Sequence, residues 1–65
     1  TKEMDLILGN FVKMYINKFN NDELQDLQRL LLIDDDIIHK WYFDKDINNE
    51  VPKTNVSLML KNFKL

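Results

Sequence analysis

The chain of 65 residues contains no cysteine. Disulfide frameworks, thiolate metal sites and thiol nucleophiles are therefore excluded, while a reducing compartment is compatible with the composition. Glycine and proline occur once each, at Gly9 and Pro52. That leaves no glycine-rich phosphate loop and few natural breaks in helical segments. Arginine is also present once, and the eight lysines are scattered rather than clustered. With a net charge of −2 nothing draws the chain electrostatically towards phosphate backbones, so nucleic-acid binding is not expected. The longest uninterrupted apolar run, Leu30-Leu31-Leu32-Ile33, falls far short of the roughly 20 residues of a membrane span. Membrane insertion is not expected either.

What is present suits a small folded unit. Apolar residues make up 45% of the chain and charged residues 31%, a balance outside the disordered range. A chain this short buries only about 60% of its unfolded surface, so one domain spanning residues 1–65 with modest stability is expected. Apolar positions recur at intervals of three and four, which predicts an all-α fold: a small antiparallel bundle of about four helices around one core.

The first predicted helix covers about residues 3–18. Met4, Leu8, Phe11, Tyr15 and Phe19 fall on one face, flanked by Ile7, Val12 and Ile16. Asn20 and Glu23 have the spacing of a capping box, and Phe19 and Leu24 that of a hydrophobic staple. A second helix should therefore start there and run to about Leu32, burying Leu24, Leu27, Leu30 and Leu31. Asp35 is the expected cap of a short third helix, with Asp36 in its first turn and Ile37, Ile38, Trp41 and Tyr42 as its apolar stripe. Residues 44–53 read as the longest loop, and Val56, Met59, Leu60 and Phe63 mark a fourth helix.

Asp35 and Asp36 precede His39 by four and three residues, so the three side chains can approach one side of a helical turn as ligands for a divalent ion. A metal site needs three or four ligands in defined geometry. A capping acid beside a solvated histidine needs nothing more, and the structural reading is preferred. His39 has no serine or threonine placed by a recognisable motif to activate, so catalysis is not expected. Trp41 and Tyr42 are assigned to the core rather than to a stacking platform. Lys40, Lys45, Lys53, Lys61 and Lys64 alternate with Asp44, Asp46 and Glu50, as on a solvated surface.

The first helix carries features that packing alone does not explain. Glu3 and Asp5 stand in its first turn, where carboxylates complement the helix dipole by about 0.3–1 kcal/mol each. Spacing places Glu3, Leu6, Asn10, Lys13 and Asn17 on its polar face, with Leu6 an apolar intruder. Gly9 costs about 0.8–1.0 kcal/mol relative to alanine inside a helix. Close approach of another backbone, from within the domain or from a partner, would account for it.

The segment KEMDLILGNF resembles the opening helix of the succinate dehydrogenase assembly factor (SdhE) family, small helical proteins that promote covalent flavin attachment. NNDELQDLQRLLLIDDDIIHKW is similar to that family's capped second helix, leucine-rich segment, acidic turn and tryptophan. The resemblance covers nearly all of the chain. Asp36 stands where the family often has proline. Thr1, Lys2 and Glu3 match the last three positions of the family's Arg-Gly-x-x-Glu hallmark, and Asp5 matches the acid two places further on.

The resemblance implies a chaperone-like binding module with no cofactor of its own. Its partner would be the flavoprotein subunit of succinate dehydrogenase or a related fumarate reductase, held while FAD is bonded to a histidine of that subunit. Glu3, Asp5, Lys2 and Leu6 are then the expected partner-binding residues of a monomer. The implied setting is the bacterial cytoplasm, with the mitochondrial matrix as the alternative. A helical interaction module unrelated to flavoproteins, and a small metal enzyme using Asp35, Asp36 and His39, are the competing readings.

Overall fold

The capping box predicted at Asn20 is formed, and it fixes where the second helix starts. The Asn20 side chain accepts from the Glu23 backbone N–H at 2.9 Å, and the Glu23 carboxylate accepts from the Asn20 N–H at 3.0 Å. Two of the amides that a helix start leaves unpaired are thereby satisfied. A computed structural model of the chain describes residues 2–44 and 50–65. Thr1, Lys45, Asp46 and the middle of the expected 44–53 loop lie outside the described residues.

The described residues form four helices, α1 (Lys2–Tyr15), α2 (Asn21–Leu31), α3 (Asp35–Phe43) and α4 (Asn55–Asn62), with no strand among them. The fold is a small all-α bundle, as the periodicity predicts. None of these helices is long and apolar enough to cross a membrane.

α1 ends three residues earlier than its apolar spacing suggests. Ile16 and Phe19 still donate to the carbonyls of Val12 and Tyr15, at 2.9 and 3.2 Å, and Lys18 donates to Tyr15 at 2.8 Å. This tight turn brings the Phe19 ring onto that of Tyr15, stacked with centroids 5.8 Å apart.

Met4, Ile7 and Phe11 are the buried residues of α1, and Leu8 is only half-buried. The inward line thus runs through Ile7 rather than Leu8. Both spacings suit a helix, and the neighbouring helices choose between them. Ile16 is exposed because it lies beyond the last full turn. α2 buries Leu27 and Leu30 but leaves Leu31 48% exposed, a correction to its expected core role. Leu31 is the last residue of the helix, turned away from the Leu27–Leu30 stripe.

The cap of α3 is Asp34 rather than Asp35. The Asp34 carbonyl accepts from Ile37 and Ile38, both at 3.1 Å, while its side chain makes no capping bond. Asp35 and Asp36 therefore occupy the first turn, where they act through the helix dipole. Ile38, Trp41 and Tyr42 are buried, which puts both aromatic residues in the core.

α4 starts with a second capping box. Thr54 accepts from the Ser57 N–H at 3.0 Å, and the Ser57 hydroxyl oxygen accepts from the Thr54 N–H at 2.9 Å. Ser57 is buried, yet its hydroxyl also donates to the Thr54 carbonyl at 2.9 Å, so no polar atom is stranded there. Val51, Val56 and Leu60 complete the core. α4 packs most closely on α2. Its C-cap residue Phe63 meets Phe11 edge-on at 5.4 Å and Tyr15 at 6.3 Å.

Candidate functional site

With the apolar line of α1, from Met4 onward, committed to the core, its outer face is left to solvent. Lys2, Glu3, Asp5 and Leu6 are all exposed, Leu6 at 58%. Among the described residues neither Glu3 nor Asp5 enters an ion pair, whereas Asp26 and Arg29 come within 3.9 Å of each other. Their carboxylates are therefore hydrated acceptors, stabilised by the α1 N-terminus and open to donors from another molecule.

The face continues through Gly9, Asn10, Lys13 and Asn17, all exposed. Asn10 Nδ2 donates to the Leu6 carbonyl one turn earlier, at 2.7 Å. This side-chain bond lies along the helix and keeps the amide beside Leu6. A Cβ added at Gly9 would meet nothing within 4 Å. Close packing inside the domain is thus not the reason for this glycine.

The four residues singled out from the sequence lie along the first one and a half turns of α1. They offer two negative charges, one positive charge and an apolar anchor, with a shallow smooth patch at Gly9 just beyond. Such a surface suits recognition of another protein by ion pairing, hydrogen bonding and one buried leucine.

The other chemistry-bearing residues have structural roles. Ser57, the chain's only serine, is buried within the α4 cap. His39 packs against Phe43 with ring centroids 4.6 Å apart. Among the described residues, Asp35, Asp36 and His39 do not converge into a group able to hold a metal ion. Lys61 and Lys64, expected as plain solvated charges, lie over the rings of Trp41 at 4.7 Å and Tyr42 at 4.9 Å. Their ammonium groups cover the rim of the core through cation–π contacts.

Sequence reasoning missed the Thr54–Ser57 box, because serine stands where the usual pattern has glutamate or glutamine. It also missed the burial of Val51, which lies in a stretch without periodicity. A lone β-branched residue before Pro52 was the available signal.

The family model described as flavinator of succinate dehydrogenase matches residues 1–64. No curated protein and no solved structure shows a match to the chain.

Proposed function

The chain belongs to the flavinator of succinate dehydrogenase family, and from that premise we propose that it binds the flavoprotein subunit of succinate dehydrogenase through the first turns of α1. A related fumarate reductase subunit is the second partner of the same kind. The observation that carries the proposal is the exposure, without an ion pair, of Glu3 and Asp5 beside exposed Leu6 and the open Gly9.

In this reading the bond-making belongs to the partner and its FAD. The flavoprotein supplies the histidine that becomes bonded to the flavin. The chain supplies differential binding: it favours a flavin-ready conformation of the partner over others, and only that difference in affinity shifts the equilibrium. Glu3 and Asp5 accept from basic or backbone donors on the flavoprotein, Lys2 pairs with an acid there, and Leu6 is the apolar anchor. One domain over residues 1–65 acting as a monomer is sufficient for this role. The bacterial cytoplasm is the proposed setting, and the mitochondrial matrix is its counterpart elsewhere.

Co-expression of the chain with a succinate dehydrogenase flavoprotein subunit tests the reading. Flavin that survives denaturation of the subunit, read as in-gel fluorescence, should rise when the chain is present. An unchanged signal would leave a helical interaction module without a flavoprotein role.

A further inference from the structure

The end of α1 and the α4 segment leave an open-sided, largely apolar groove of about 550 Å³. Met14 and Tyr15 of α1 line it together with Leu58, Met59 and Asn62 of α4 and the following Phe63 and Lys64. Met14 is 53% exposed and Leu58 61%, so two large apolar side chains face solvent across it. Neither is needed to cover the core beneath, which the Phe11, Tyr15 and Phe63 rings already close.

Among the described lining residues Lys64 is charged and none is acidic. Lys18 is held over the Tyr15 ring at 5.7 Å, and Lys64 over Tyr42 at 4.9 Å. The first contact places an ammonium group beside Tyr15 of the groove, and Lys64 is itself one of the lining residues.

We propose that this groove docks an acidic amphipathic segment of the partner flavoprotein, with apolar side chains seated between Met14 and Leu58 and flanking carboxylates meeting Lys18 and Lys64. The inference rests on the flavoprotein reading above and adds a second contact, remote from Glu3. Charge complementarity selects the occupant: an apolar groove rimmed by cations in an acidic protein suits a helix with acids on its flanks. A small molecule is disfavoured because the groove is open-sided and ligand pockets bury most of their ligand's surface.

The test titrates the purified flavoprotein subunit with the wild-type chain, Leu58→Asp, the double variant Lys18→Glu/Lys64→Glu, and Glu3→Lys. Helicity is checked by circular dichroism, and Leu58→Ser stands in should the aspartate variant lose it. Leu58→Asp should weaken binding by about tenfold or more. The lysine variant should weaken it at low salt, with the difference from wild type shrinking as salt rises. Wild-type affinity in both groove variants, alongside loss in Glu3→Lys, overturns the groove inference and leaves the flavoprotein reading standing. Absence of binding by the wild-type chain brings down both. Self-association that Leu58→Asp abolishes, or binding to phosphatidylglycerol vesicles that the lysine variant abolishes, would give the groove a different occupant and overturn the inference.

Discussion

The hydroxyl of Tyr42 donates a hydrogen bond to the backbone carbonyl of Phe63, joining α3 to the residue that ends α4. Phe63 in turn touches Phe11 and Tyr15 of α1, so three helices meet at one residue. Tyr42→Phe keeps the ring and removes only the donor, leaving a part-buried carbonyl without its partner. A loss of about 1–2 kcal/mol is expected, read as a lower midpoint in urea with an unchanged slope.

Phe11 is fully buried at the centre of the same aromatic group. Phe11→Ala should cost about 3–5 kcal/mol. A chain of this length has about 3–10 kcal/mol in total at typical per-residue stability. The variant is therefore expected to be largely unfolded at 37 °C, visible as loss of helical circular dichroism.

The starts of α2 and α3 have unequal chemistry. Asn20 exchanges two hydrogen bonds with Glu23, whereas the Asp34 side chain makes none. Asn20→Ala should cost about 1 kcal/mol, and Asp34→Ala only about 0.3–0.5 kcal/mol through the lost dipole interaction. Equal losses on thermal melting would contradict the assignment.

These caps also mark what the sequence made legible. The Asn20–Glu23 box is local, and its residue types declare it. The Thr54–Ser57 box has the same geometry with an unusual partner, so it passed unread. Within Leu30-Leu31-Leu32-Ile33 every position is apolar, so the run carries no phase, and the exposure of Leu31 had to come from the helix packed against it. Ile7 and Leu8 pose the same ambiguity. The polar face of α1 was readable because Glu3, Asn10, Lys13 and Asn17 differ in kind from the residues between them. The Met14–Leu58 groove was not, since it exists only once α1 and α4 are brought together.

Gly9 separates stability from function. An added Cβ meets nothing, so Gly9→Ala should stabilise the isolated chain by about 0.8–1.0 kcal/mol. If a partner approaches this face closely, the same change raises the melting temperature while lowering affinity for the flavoprotein subunit. A gain in stability with no change in affinity would remove Gly9 from the interface.

The central claim is that the exposed carboxylates leading α1 are read by a flavoprotein during flavin attachment. The most direct measurement is the rate of covalent flavin incorporation into purified apo-flavoprotein subunit with excess FAD, with no addition, with the wild-type chain, or with Glu3→Lys of verified helicity. The wild-type chain should accelerate incorporation and Glu3→Lys should not. Equal acceleration by both proteins, or none by either, would contradict the account.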